Sequence, residues 1–298
     1  MLPAQVGVNQ RLLIVGADGL LGGALRRHWR QRGCEVAATS FLNLADSEGV
    51  QHLDLAQPQE TWPALPPCRA AVLCAAITSL EQCRRDPAAT RHINVTQTLA
   101  LAQRLVGQGC FVVFISSNLV FDGSKPCRNP AEPACPQTEY GRQKAEAEAG
   151  LTGLGERAAI VRLTKVFHSE MPLVCGWMKS LREGKAVQPF TDLICSPITF
   201  HATIQTIAAV TERQASGLWQ LSGSADISYA GIAAHVARRA KCDPALVQPA
   251  TSRGVVSLEH LPAHSTLDAT QSQTELGFEI LDPLTVIDRT FFHETQPA

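Results

Sequence analysis

The sequence holds no apolar run approaching the roughly 20 residues that cross a bilayer, which argues against a membrane-spanning helix. It holds almost no net charge, formally -1 at pH 7, so it offers no basic footprint for nucleic acid or for an anionic membrane. None of its ten cysteines stands in a Cys-x-x-Cys pair, and Cys74 and Cys110 lie inside apolar runs. Free, buried thiols in a reducing cytoplasm are expected, without disulfides, and with scattered histidines no structural zinc is expected either. Met1–Gln10 is polar and lacks the basic and apolar segments of a signal peptide, which again points to the cytoplasm. There is no internal repeat and no low-complexity linker. What remains is an ordinary globular composition, 45% hydrophobic and 18% charged over 298 residues, enough for one large α/β domain or two smaller ones.

Short apolar runs alternate with helical patterns along the first half. Arg11–Gly16 reads as a buried parallel strand, followed by Gly16-Ala-Asp-Gly19-Leu20-Leu21-Gly22 and a helical pattern through Leu25, His28 and Trp29. Strand, glycine turn and helix is the context of a dinucleotide-binding loop, in which backbone N–H groups at a helix N-terminus meet a pyrophosphate. The spacing is G-x-x-G-x-x-G. A second strand is expected over Cys34–Thr39, and its end, Thr39-Ser40-Phe41, lacks the carboxylate that would bind the ribose 2′-OH of NAD. Small hydroxyl residues leave room for a 2′-phosphate, so NADPH is preferred, with NADH as the alternative. A short strand over Gln51–Leu55 brings Asp54 and Leu55 either to the adenine or to a surface turn.

Further strands are expected over Ala70–Ala76, Phe111–Ser117 and Ala158–Leu163, with a helix from Glu81 to Val106 and another over 137–153. Asn118–Pro136, with glycine and four prolines, reads as an ordered loop. This alternation gives a Rossmann-type α/β fold, a doubly wound parallel sheet over residues 1–163. Ligands in such sheets lie beyond the carboxyl ends of the strands, so Gly16–Gly22, Cys74-Ala75-Ala76, Ile115-Ser116-Ser117 and Thr164 should face one crevice. Residues 164–298 read as a smaller α/β substrate lobe, some of it returning to the first part. Its helices are expected near 172–183, 200–214, 228–240 and 283–293, with short strands near 186–190 and 218–221, and Ser196-Pro197 in an extended segment.

The chemistry centres on Tyr140-Gly-Arg-Gln-Lys144. On a helix these two residues lie one turn apart on the same face. A free phenol has a pKa of about 10, and a neighbouring ammonium should lower it towards the working range of an acid/base group. Ser117, at a strand end, could hold a substrate oxygen there. Asn94, polar amid an apolar helical face, is either a satisfied core amide or part of a proton relay.

These elements, together with Ile93-Asn94-Val95, Val120-Phe121-Asp122-Gly123 and Ser196-Pro197, occur in the order found in a known family. The chain resembles the extended short-chain dehydrogenase/reductases, and within them the dTDP-4-dehydrorhamnose reductase-like group. The resemblance implies reduction of the 4-keto group of a nucleotide-linked deoxysugar by NADPH or NADH. It gives Tyr140 the proton, Lys144 the nicotinamide ribose, Ser117 the carbonyl oxygen and Asn94 a water link to the lysine. Thr78, Asn118, Leu119, Val120, Lys165 and Ser196 would line the sugar-nucleotide pocket. A homodimer through helices flanking the sheet is allowed, not required.

Three departures fall in or near that pocket. The family's Asp-Tyr after the serine is Asn118-Leu119, a common aromatic is Lys165, and an arginine before the late Leu-Asp segment is Leu261. The same branch resembles the beta subunit of methionine adenosyltransferase, so the alternative is a cofactor-binding regulatory subunit without turnover. A dehydratase would need carboxylates beside the serine, and Asn118 and Leu119 supply none.

Overall fold

Apolar runs of four to seven residues become the central strands because a strand covered on both faces excludes water from every side chain. The computed structural model describes residues 11–42, 49–253 and 260–292; the expectation for Met1–Gln10 and the last residue of the 283–293 helix lie outside them. The strands in chain order are β1 (Leu12–Val15), β2 (Val36–Ser40), β3 (Val50–His52), β4 (Ala70–Leu73), β5 (Phe111–Ser117), β6 (Ala158–Leu163), β7 (Lys165–Phe167), β8 (Ile194–Cys195), β9 (Pro197–Thr199), β10 (Gly217–Leu221) and β11 (Ile227–Ser228). The helices are α1 (Leu20–Gln31), α2 (Leu80–Arg85), α3 (Pro87–Arg91), α4 (Thr98–Gly107), α5 (Glu139–Thr152), α6 (Pro172–Arg182), α7 (Phe200–Arg213), α8 (Tyr229–Arg239), α9 (Thr270–Leu276) and α10 (Pro283–Phe291). None of them is long and apolar enough to cross a membrane.

A seven-stranded sheet runs in the order β10-β6-β5-β4-β1-β2-β3. The pairs β3–β2, β2–β1, β1–β4 and β4–β5 are all parallel. The chain therefore builds outward from β1 to β3 and then crosses back to β4, so its direction of growth reverses between β1 and β4. That switch point is where strand ends and their loops diverge to leave room for a ligand.

Two compact units are distinguished. One takes the described residues of Met1–Val120 with Thr138–Arg162 and Ile204–Trp219; the other takes Phe121–Gln137, Leu163–Thr203 and the described residues of Gln220–Ala298. The first has a core of Leu13, Val15, Leu73, Leu101, Leu105, Val112 and Phe114, contributed by the sheet and α4. The second packs Phe167, Val174, Leu181, Ile232, Val236 and Ile287 around strands of only two or three residues. Of these, β8 pairs antiparallel with β11, and β7 pairs parallel with β9.

Several expected elements differ. The single helix from Glu81 to Val106 is three pieces. Pro87 has no N–H to donate, so α2 ends at Arg85 and Asp86 caps α3 through Ala89 N at 3.1 Å. After α3 the chain widens into a π-helical turn, His92–Gln97, and Thr98 Oγ1 donates back to Ile93 O at 2.9 Å. The third strand stops at His52 rather than Leu55, because the Asp54 carboxylate accepts from Ala56 N at 2.8 Å and turns the chain. The expected strand near 186–190 is reduced to isolated bridges, Val187 with Val247 and Phe190 with Ala250. The helix α9, closed by Gly277 in the left-handed region, carries no long apolar repeat that would announce it.

Candidate active site

The turn after β1 is set by its first and last glycines. Gly16 has φ +88°, and a Cβ there would lie 2.7 Å from Ala75 N, so β1 and the end of β4 approach as only glycine allows. A Cβ on Gly22 would lie 2.1 Å from Gly16 O. Gly19 is different: its φ is -77° and a Cβ would meet only Gly16 O at 3.5 Å, an ordinary contact. Among the described residues nothing crowds a side chain at Gly19. It is also the N-cap of α1, contributes no side-chain cap, and is followed by a first turn with no acidic residue. A helix start of this kind, without a side-chain cap or an acidic residue, is one that can receive an anion. Leu20 is exposed and Leu21 half-buried beside it.

At the end of β2, Thr39 O accepts from Gly16 N and Ala17 N at 3.1 and 2.8 Å, which locks the turn to the strand. The Thr39 and Ser40 side chains are buried, and Ser40 Oγ accepts from Leu42 N at 2.9 Å. Asp54 is held by its own turn, also accepting from Gln57 Nε2 at 3.2 Å, and Leu55 lies in the core. At the end of β4, Cys74 N and Ala75 N both donate to Val15 O at 2.9 Å. Cys74, Ala75 and Ala76 are half-buried, while Thr78 is exposed.

Asn94 sits on the π-helical turn and is fully engaged. Its Oδ1 accepts from Ile77 N at 2.8 Å, and its Nδ2 donates to Ile77 O at 2.9 Å and to Gln143 Oε1 at 2.8 Å. Gln143 in turn donates to Thr90 Oγ1 at 2.9 Å. Of the two readings open for Asn94, this geometry is that of a satisfied amide tying the loop after β4 to α5.

The helix α5 is positioned at its first turn. Thr138 Oγ1 accepts from Gly141 N at 3.1 Å and caps it. A Cβ on Gly141 would lie 2.1 Å from Leu119 O, so the helix rests directly on the Asn118–Val120 turn that follows β5. This contact seats the first turn of α5, which carries Tyr140, on the turn that follows Ser117. Ser117 Oγ accepts from Leu119 N at 3.2 Å and faces Asn118 Oδ1 at 3.4 Å. Asn118 and Leu119 are half-buried, Val120 fully.

Lys144 is buried, with Nζ donating to Ile115 O at 2.8 Å and lying 4.4 Å from the Phe114 ring centroid and 5.8 Å from that of Tyr140. Burial lowers its pKa to about 8, against which the Glu148 carboxylate raises it. Tyr140 moves the other way from the expectation drawn from sequence. Burial pushes its phenol up, and the cation that was to bring it down is directed at a backbone carbonyl instead. A phenol with a raised pKa stays protonated at neutral pH, which suits a proton donor.

Thr164, Lys165 and Ser196 belong to the second unit. Thr164 is buried and Thr164 N donates to Leu221 O at 3.1 Å; Lys165 is exposed. Ser196 is buried, with Oγ 3.3 Å from Ser222 Oγ and donating to Gly223 O at 3.2 Å. Leu261 is half-buried. Its neighbours His260 and His264 form one His-x-x-x-His spacing that a view of the histidines as scattered passes over. His260 Nε2 lies 2.7 Å from Asp122 O and His264 Nδ1 3.3 Å from Asp226 Oδ2, and no group of three or more His, Cys, Asp or Glu among the described residues could hold a metal ion.

The sequence profile of the RmlD substrate binding domain matches residues 10–286, nearly the whole chain. The chain belongs to that family. Within the RmlD family and beside it, the chain is 27% identical over 269 residues to dTDP-4-dehydrorhamnose reductase of Streptomyces griseus, covering 87% of this chain and 85% of that one. It is 25% identical over 293 residues to methionine adenosyltransferase 2 subunit beta of Rattus norvegicus, covering 89% and 82%. Its fold matches the crystal structure of dTDP-4-dehydrorhamnose reductase from Bacillus anthracis in complex with NADP, with TM-score 0.79 at 19% identity, over 95% of this chain and 98% of that one.

Four residues of this RmlD-family chain matter to the site and were not singled out from sequence: Gly141, Gln143, Glu148 and Arg162. Gly141 and Gln143 lie inside the Tyr140–Lys144 stretch, masked by its two charged-chemistry residues. Arg162 had a visible signal, a lone charge within the apolar run Ala158–Leu163. Its partner Glu148, one turn beyond Lys144, becomes evident only from the pairing.

Proposed function

We propose that this protein is a nicotinamide-dependent reductase of a keto group on a nucleotide-linked deoxysugar, with Tyr140 as proton donor. The observation that carries this reading is the seating of α5 on the Asn118–Val120 turn through Gly141, which sets Tyr140 and Lys144 beside the end of β5. The first unit suits the cofactor: an uncapped, uncharged start of α1, an unfilled Gly19, small residues at Ala75 and Ala76, and a β2 end without a carboxylate. Gly16–Gly22 would hold the pyrophosphate, Thr39 and Ser40 the adenosine end, and Lys144 the nicotinamide ribose. When bound, the nicotinamide supplies the hydride that reduces the carbonyl carbon.

The residues of the chain do the rest. Tyr140, kept protonated by burial, gives its proton to the carbonyl oxygen as negative charge develops there. Ser117 orients that oxygen by turning its hydroxyl from Asn118 towards the substrate. Lys144, held on Ile115 O, keeps its ammonium 5.8 Å from the centre of the tyrosine ring. Dimerisation is not needed for any of these roles.

The likeness to the methionine adenosyltransferase beta subunit supports a second reading, a cofactor-binding regulatory subunit. One experiment separates them: NADPH and NADH consumption with a panel of nucleotide-linked 4-keto-6-deoxysugars, run beside Tyr140→Phe. The expected outcome is turnover that falls by roughly 10²–10⁴-fold in the variant while cofactor affinity is kept. Near-normal turnover in Tyr140→Phe would remove the tyrosine as acid. Tight cofactor binding without turnover by the unaltered protein would favour the regulator.

A further inference from the structure

We propose that Glu148, clamped by Arg162 and Ser116, is a positioning residue that keeps Lys144 charged and fixed against β5. Glu148 lies one helical turn beyond Lys144 on α5, on the same face. Its carboxylate accepts from Arg162 Nη2 at 2.7 Å and from Arg162 Nε at 3.0 and 3.2 Å, and Ser116 Oγ donates to it at 2.5 Å. Ser116, Glu148 and Arg162 are each 5% exposed or less. Arg162 comes from β6 and Ser116 from β5, so one carboxylate joins α5 to two adjacent strands.

A buried arginine–glutamate pair is often no more stabilising than an apolar pair of the same size. Its position suggests another use. Lys144 and Arg162 are two buried cations near one end of the sheet, and among the described residues Glu148 is the one carboxylate that acts on Lys144. The other groups facing Lys144 are the Phe114 ring and Ile115 O of β5, the Tyr140 phenol on α5, Cys74 after β4, whose thiol burial pushes up to about 12, and Cys83 on α2. Without the Glu148 charge, burial would be less opposed, and the ammonium would give up its proton at a lower pH. Ser116 adjoins Ser117, so the same carboxylate also fixes the strand end that presents that hydroxyl.

This inference rests on the reductase reading for its use, and its test does not depend on turnover. The chain has only six lysines, so the ¹³Cε signals of labelled lysine can be followed by NMR, Lys144 being assigned as the one lost in Lys144→Arg. In the unaltered protein that signal should titrate near pH 8, well below an exposed lysine. In Glu148→Gln, which preserves shape and removes charge, its midpoint should fall by about one pH unit or more. The alkaline limb of any turnover profile should move down with it. Glu148→Asp should restore the midpoint. If Glu148→Gln does not fold, the double variant Glu148→Gln/Arg162→Met leaves no guanidinium buried without its carboxylate, and the Lys144 midpoint should again fall. A midpoint unchanged in whichever variant folds overturns the proposal. A fallen midpoint in a protein that turns over no keto-sugar would keep the electrostatic role and discard the reductase.

Discussion

The turn after β1 and the strand β7 each carry candidate ligand-binding residues, and they are built on opposite principles. At Gly16 and Gly22 the backbone leaves almost no choice of residue: one glycine faces Ala75, the other faces Gly16 O, and two N–H groups of the turn are tied to Thr39 O. On β7, Lys165 is exposed on a strand of three residues that pairs with another of three, and nothing in the local backbone demands a lysine. In the first unit the shape of the site is a consequence of the fold. In the second, the short pairing of β7 with β9 leaves the side chain at Lys165 unspecified.

The comparison breaks most easily at Gly22. Gly22→Ala drives a methyl into Gly16 O, and the turn cannot retreat because Thr39 and Ala75 hold it; a loss of about 3 kcal/mol or more is expected from denaturant unfolding. A change of under about 0.5 kcal/mol would mean that the turn is far softer than its hydrogen bonds indicate. Gly19→Val sharpens the contrast within the same turn. Since its Cβ has ordinary room, the fold should be kept while NADPH affinity by calorimetry falls tenfold or more. Unchanged affinity in the folded variant would refute the loop as a pyrophosphate site. The smallest effect is expected at Lys165→Ala. Stability should stay within about 0.5 kcal/mol, and a raised KM for the sugar nucleotide at unchanged cofactor affinity would mark the lysine as a substrate contact. A KM that does not move would leave Lys165 as surface.

The two halves of the chain were also unequally readable. Strand β5 over Phe111–Ser117 and strand β6 over Ala158–Leu163 have the bounds read from their largely apolar runs, because a central strand covered on both faces is mostly apolar. Pro87 is a local break signal in the stretch after Glu81, set against helical spacing through Ile93, Leu99, Ala102 and Leu105 beyond it. The π-helical turn carrying Asn94 has no local signature, since it depends on Ile77 and Gln143 closing around the amide. In the second unit, strands of two and three residues are too short for alternation to register, and they exist because distant segments such as Lys165–Phe167 and Pro197–Thr199 meet.

By itself the sequence determined the alternation of strands and helices, the glycine turn, and the spacing that puts Tyr140 and Lys144 on one face of a helix. These follow from local rules of period, backbone freedom and capping, which act over a few residues. Only the tertiary structure decided the electrostatics. Tyr140 is raised by burial rather than lowered by its lysine, Lys144 points at Ile115 O, and its charge is supported by a carboxylate whose own partner arrives from β6. Each of these depends on how much water is excluded and on which distant groups converge in its place, and neither quantity is written in any short stretch of chain.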